Sequence, residues 1–487
     1  MEEVMPKERE FIKSFFQFSM GQWIAALISF ITTPITTWLI IPEEFGKASM
    51  FTLAFNLLLN VALLGADQSF VRMFYERSED KRRDLLWDSL LPSLSIGVVV
   101  FVVIGIFWKE LSFILFGDYN HFLPIFLLGV TILIGILERF STLAVRMKKR
   151  GIAFSTLRVV NGVTNAVFTI LYALFVSRSF YAVIIGLFFS HIVTALLAIF
   201  FERELWFGKF KVDFKSIKAI VRYGLPFVPT FLITWLFQSI DRLSLRNYSD
   251  FTEIGLYSAA FKVVSVMSLI QAGFTTFWTP VSYESYEKEP ESKGIFEKTS
   301  VFIAAAMFVF GLLLVVFKDV IFLLLESSYR QAAGISSFLI LMPIMYTVSE
   351  TTVVGINFKK KTYWHMLIAT VAAGVNVFGN LMLVPVYGAK GAAFSTGVSY
   401  IVFFCMRTFI SKRLFPVKYH LGKFFISTFV FVVVAFINTF VPNIVFQVVS
   451  AVLGLVVVML VYRDQVKYVF NLGVGLVREV KERVVSR

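Results

Sequence analysis

Apolar runs of twenty or more residues recur along almost the whole chain, separated by short polar connections. An α-helix crosses the hydrocarbon core of a bilayer in about 20 residues. Inside lipid every backbone N–H and C=O must be satisfied within the chain, so each run reads as a helix. A transmembrane β-barrel would show short alternating segments instead. Composition agrees: 57% of the 487 residues are hydrophobic and 16% charged, against about 45–50% and about 25% in soluble domains. Ordinary cytosolic, periplasmic and secreted enzymes are excluded, and the chain reads as a polytopic membrane protein.

The runs predict an all-α integral membrane protein of about fourteen transmembrane helices. We place the spans at 11–40, 45–70, 89–113, 121–145, 153–177, 180–202, 218–240, 252–280, 299–325, 333–356, 364–386, 391–412, 422–440 and 443–463. The first run is too long for a signal peptide and meets no small-residue cleavage site. With the N-terminus inside, the inner segments carry 36 Lys and Arg and the outer ones 8, with Arg158 and Lys262 left within spans. Cytoplasmic loops hold the positive excess, so both termini are expected inside. This also accounts for the net charge of +14, which in a soluble protein would suggest nucleic acid.

All outer connections are short, and no inner one is long enough for a soluble domain. There is no Walker A loop and no nucleophile or carboxylate constellation. The four histidines are scattered, and the single cysteine cannot form an internal disulfide. These features point to a transporter rather than an enzyme, with no cofactor. The tail 464–487 carries Arg478, Lys481, Arg483 and Arg487 among spaced apolar residues. It reads either as an amphipathic helix on the anionic inner leaflet or as a solvated basic tail.

A long-period repeat is visible. Phe45-Gly46-Lys47-Ala48-Ser49 resembles Ile254-Gly255-Leu256-Tyr257-Ser258, 209 positions on. Gly162-Val163-Thr164-Asn165 resembles Gly374-Val375-Asn376, 212 positions on. Both fit two parallel copies of six helices: 1–210 as an N-terminal lobe and 211–415 as a C-terminal lobe. Residues 416–463 then form two appended helices, followed by the tail.

Several motifs resemble one family. Gln238-Ser239-Ile240-Asp241-Arg242-Leu243 followed by Ile254-Gly255-Leu256-Tyr257-Ser258-Ala259-Ala260-Phe261-Lys262 is similar to its "DR … GxYsxaxK" signature. Leu383-Val384-Pro385-Val386-Tyr387-Gly388-Ala389-Lys390-Gly391-Ala392-Ala393 is similar to its "lvPxyGxxGAA". Gly65 to Arg72 and the basic Lys359-Lys360-Lys361 loop also fit. The chain thus resembles Wzx-type polysaccharide flippases of the multidrug/oligosaccharidyl-lipid/polysaccharide (MOP) exporter superfamily. The resemblance implies a MATE-like fold of two six-helix lobes around a central cavity with alternating access. It also implies a place in the cytoplasmic membrane and undecaprenyl-pyrophosphate-linked oligosaccharide as cargo, with polysaccharide assembly proteins as further partners and no nucleic acid. A peptidoglycan-precursor (lipid II) flippase and a cation-coupled drug exporter share the fold. A membrane glycan polymerase or ligase fits the short outer loops poorly.

A pyrophosphate crossing oil calls for cations, and each in-membrane charge is costly enough to need a reason. The candidate cargo-binding cations are Lys262, Arg242, Arg158 and Arg72. Snorkelling explains Lys262 and Arg158 equally simply, and an ion pair with Asp67 explains Arg72. Asp67, Asp241, Glu138, Arg139 and Glu350 are candidates for gating or coupling, with H+ or Na+ as possible coupling ion. For Glu350 the competing reading is a helix-end acid answering Lys359 to Lys361. Gln22, Asn165, Gln271, Asn376 and Asn380 offer polar contacts to sugar or between helices.

Overall fold

A computed structural model describes residues 4–288, 293–468 and 471, which form helices and turns with no strand. The helices are α1 (Val4–Leu39), α2 (Pro42–Leu63), α3 (Ala66–Met73), α4 (Arg82–Ile106), α5 (Trp108–Phe116), α6 (Phe122–Met147), α7 (Gly151–Phe175), α8 (Phe180–Phe201), α9 (Arg203–Trp206) and α10 (Phe214–Gly224). They continue with α11 (Phe227–Tyr248), α12 (Phe251–Lys288), α13 (Gly294–Leu323), α14 (Ala332–Leu339), α15 (Leu341–Thr352), α16 (Val354–Phe358), α17 (Tyr363–Leu414), α18 (Leu421–Phe440) and α19 (Ile444–Val461). Among the described residues eleven helices are long and apolar enough to cross a membrane, or twelve with α10 and α11 counted as one bent span.

Local sequence explains where these helices start and stop. Pro42 opens α2, where its missing N–H costs nothing. Glu43 and Glu44 follow in the first turn and hold Lys47 at 2.9 and 2.8 Å. The expected span 45–70 is not one helix: Leu64 and Gly65 are both left-handed, with φ of 50° and 68°, and α3 starts afresh. The break lets Gly65 approach Gly224, whose carbonyl oxygen would lie 2.2 Å from an added Cβ. The span expected at 333–356 is likewise divided, into α14, α15 and α16. Just before it, the Ser327 and Ser328 hydroxyls hold the half-buried Glu326 carboxyl down at about 2, so this cap stays charged. Conversely, α17 runs for 52 residues, about 78 Å at a 1.5 Å rise and more than twice a hydrocarbon core. Its backbone breaks at Gly388 (φ 52°, ψ −132°), three residues after Pro385, between the expected spans 364–386 and 391–412.

The chain packs as two compact units, 1–258 and 259–487. In the first, α7 packs on α8 and α1, and α6 on α8 and α4. Ser155 on α7 bridges one ladder step of α1, accepting from Gly21 N–H at 3.0 Å and donating to the Gln17 carbonyl. In the second, α15 packs on α17 and α13, and α19 on α13 and α18. Packing thus divides the chain inside α12, whereas the sequence repeat divides it near residue 210. The reason is that α10 and α11 lie on α2, α3 and α4 of the first unit. Nor do α18 and α19 stand apart as 416–463. Buried Lys318 on α13 donates to Gln447 on α19 at 2.9 Å and to Asp319 at 2.7 Å. Of the tail 464–487, for which the sequence allowed an amphipathic helix, only 464–468 and 471 are described, and its Arg478, Lys481, Arg483 and Arg487 lie outside the described residues.

Candidate functional site: a helix crossing and two ion-pair clusters

The first repeat motif meets the second. Gly46 on α2 faces the opening turns of α12 so closely that an added Cβ would sit 1.9 Å from the Phe251 carbonyl oxygen. At Gly255 it would sit 1.8 Å from the carbonyl oxygen of Pro42. One turn along, the Ser49 and Ser258 hydroxyls hydrogen-bond at 2.8 Å. Only glycine permits backbones this close. The Asp-Arg motif of α11 closes the same knot. The Tyr257 hydroxyl donates to Asp241 at 2.6 Å, and Arg242 Nε donates to Ser258 Oγ at 3.3 Å with its guanidinium 5.9 Å from the Tyr257 ring. Asp241 is buried and Arg242 half-buried. The motif residues singled out from sequence therefore form one polar joint, in which Asp241 accepts from Tyr257 and lies within electrostatic range of Arg242.

A second cluster gathers on α3, α6, α7 and α8. Asp67, with only 2% of its side chain exposed, receives Arg139 Nη2 at 2.7 Å and Nε at 3.1 Å, and Gln68 at 2.9 Å. The expected Asp67–Arg72 pair does not form. The two lie on one short helix whose faces differ, and exposed Arg72 pairs with Glu76 one turn on. Glu138 bonds His191 of α8, whose ring packs on Phe55 at 4.8 Å. Arg158 is exposed, with its guanidinium 5.2 Å from the Phe154 ring and Glu138 within electrostatic range.

The second unit holds the counterpart. Glu350 receives Arg407 Nη1 at 2.8 Å, and Ser349 Oγ lies 2.6 Å from the same nitrogen. The Tyr346 and Phe403 rings flank the guanidinium at 5.4 and 5.1 Å. Glu350 is thus tied to α17, not to Lys359 to Lys361. Glu138 and Glu350 are 212 positions apart, the spacing of Gly162 and Gly374. Each acid sits on the fourth helix of its repeat and binds a cation or histidine on the sixth.

The remaining candidates lie elsewhere. Lys262 is exposed in the second unit, one turn beyond Ser258, and Gln22 is exposed on α1. Gln271 is half-buried on α12. Asn165 accepts from Thr169 at 3.3 Å, where α7 meets α8. Asn376 and Asn380 are 1% and 0% exposed and bond each other at 2.7 Å. Burial inside the second unit rules both out as sugar contacts in this conformation and makes them helix-packing groups. Sequence reasoning missed His191, Arg407 and Lys318. The repeat spacing of Glu138 and Glu350 was the available signal for the first two. Among the described residues no three His, Cys, Asp or Glu side chains converge as metal ligands.

Comparison with known proteins adds the following. The profile of a family described as polysaccharide biosynthesis protein matches residues 11–286. An uncharacterized membrane protein of Methanocaldococcus jannaschii is 22% identical over 428 residues, covering 81% of this chain and 83% of its own. The lipid II flippase MurJ, in an inward closed conformation, superposes with a TM-score of 0.69 at 16% identity, over 92% of this chain and 99% of that one. An inward-facing multidrug resistance MATE family transporter of the MOP superfamily superposes with a TM-score of 0.60 at 15% identity, over 82% and 97%. At these identities the two structures show a shared fold.

Proposed function

The chain belongs to the polysaccharide biosynthesis protein family, and from that premise we propose that it is a membrane transporter of the MOP superfamily that flips a polyprenyl-pyrophosphate-linked oligosaccharide. The direction is from the inner to the outer leaflet of the cytoplasmic membrane, by alternating access. The observation that carries this reading is the state of the charges within the spans. The acids are engaged: Asp67 by Arg139, Glu138 by His191, Asp241 by Tyr257 and Glu350 by Arg407. Arg158 and Lys262 present their side chains at the surface of their units. Accessible cations with occupied acids suit a phosphate-bearing cargo. A drug cation would be served by the reverse.

A peptidoglycan-precursor flippase is the second reading, favoured by the fold likeness to MurJ. Its cargo carries the same pyrophosphate, so the cationic site does not discriminate between the two. Complementation does. The chain is expected to restore surface polysaccharide in a strain lacking its polysaccharide flippase, and not to rescue loss of the lipid II flippase. Lys262→Ala and Arg158→Ala, each removing a charged contact to phosphate, are expected to lower restored polysaccharide by about tenfold. Restoration at the wild-type level by both variants would remove the cationic-site assignment, and rescue of the lipid II defect alone would replace the cargo.

A further inference from the structure

Residues 207–224 follow the sixth expected span and run into the start of the seventh, expected at 218–240. Their helix, α10, is pinned along one face only. Ser216, Ile220 and Gly224, spaced four apart, are buried. Ser69 Oγ donates to the Ile220 carbonyl at 2.7 Å and Arg77 to Ser216 Oγ at 3.3 Å. Asp213 N–H donates to Asp88 at 3.1 Å, while the Asp213 carboxylate caps the helix by accepting from Lys215 N–H at 2.9 Å.

The rest of the segment is largely exposed, although Phe210 also stacks on Trp87 of α4 at 4.4 Å. Phe207, Lys209, Phe210, Lys211, Phe214, Lys215, Lys218, Arg222 and Tyr223 are all exposed, Phe214 at 81%. The segment carries five cations against Asp213 alone, and that carboxylate is used in the cap. On α10 the cations Lys215, Lys218 and Arg222 share one side, while Phe214, Ile217 and Val221 share another, as expected from a turn of 3.6 residues. At its end the chain bends by 41° into α11. Only together do α10 and α11 qualify as one candidate span, and at about 50 Å the pair is longer than a hydrocarbon core. This leaves α10 at the boundary, on the side to which the Lys and Arg excess assigns the cytoplasm. Cations beside large exposed aromatics on a short helix at the end of a span match an interfacial anchor.

We propose that residues 207–224 are a docking surface for the anionic phosphate headgroups of inner-leaflet lipids, with the phenylalanines seated at the acyl boundary and the five cations on the headgroups. The inference is independent of the cargo reading. Hydrogen–deuterium exchange on the full chain in nanodiscs tests it, comparing phosphatidylcholine alone with phosphatidylcholine mixed with phosphatidylglycerol. Amides of 207–224 are expected to exchange roughly fivefold slower or more with the anionic lipid, and about 0.5 M salt is expected to remove that protection. The variant K209Q/K211Q/K215Q/K218Q/R222Q is expected to melt as wild type in phosphatidylcholine and to show no lipid-dependent protection. If that variant does not fold, the salt arm on the wild-type chain decides. Equal exchange in the two nanodiscs, protection that survives both salt and neutralisation, or protection by glycerol phosphate alone in phosphatidylcholine would each overturn the proposal.

Discussion

Arg407 and Asp67 show how a charge is kept inside a membrane helix bundle. Both are nearly fully buried, and each faces one opposite charge with further polar donors or acceptors beside it. Such a pair is costly to break from one side, because the surviving ion loses its partner while still out of water. Glu350→Gln is therefore expected to destabilise the protein by about 3 kcal/mol. Glu350→Gln combined with Arg407→Met should recover most of that, as read by thermal unfolding in detergent. Equal losses in the single and double variants would mean that the ion pair is not what Glu350 contributes. Asp67→Asn, which leaves Arg139 half-exposed to water, is expected to cost less, about 2 kcal/mol. At this scale the sequence was only partly legible. It marked Asp67, Glu138, Arg139 and Glu350 as notable but could not name their partners. Arg139 lies 72 positions from Asp67 and Arg407 57 positions from Glu350, and no local spacing links them. An arginine near a span end looks the same in sequence whether it snorkels outward or turns in. Packing of α15 on α17 decides that for Arg407.

Among the elements, the crossing of α2 with the opening of α12 is the most demanding contact. Gly255→Ala drives a methyl against the Pro42 carbonyl oxygen at 1.8 Å, so a loss of about 1–3 kcal/mol is expected. Gly273→Ala on the same helix meets nothing within 4 Å and is expected to be neutral or stabilising by about 0.5–1 kcal/mol. Matching melting temperatures for the two would contradict the close crossing. Ser49→Ala is expected to cost about 1 kcal/mol, since it leaves Ser258 with Arg242. The repeat motif was legible from Gly46, Ser49, Gly255 and Ser258, but not that its two copies touch. Sequence periodicity ran through the break at Leu64–Gly65, because apolar content continues across it, whereas the break at Gly388 falls between the expected spans 364–386 and 391–412. Backbone conformation, which hydropathy does not record, ends the helices there.

For the whole molecule, the fold class was readable from apolar run length and the family from four ordered motifs. The cargo was not, because a pyrophosphate asks only for accessible cations and leaves the sugar unspecified. The inside-positive tally predicts a topology that thiol labelling checks. In a Cys405→Ser background, Lys360→Cys is expected to react only with membrane-permeant reagent, and Ser177→Cys with impermeant reagent as well. The reverse pattern would invert the orientation.

The central claim is that accessible cations within the spans carry a lipid-linked pyrophosphate across. Its most direct measurement is leaflet translocation in proteoliposomes, using a fluorescent undecaprenyl-pyrophosphate-linked oligosaccharide and a membrane-impermeant quencher. The account predicts protein-dependent translocation that falls about tenfold in Lys262→Ala. Translocation at the empty-liposome rate by the intact protein, or an unchanged rate in Lys262→Ala and Arg158→Ala alike, would contradict it.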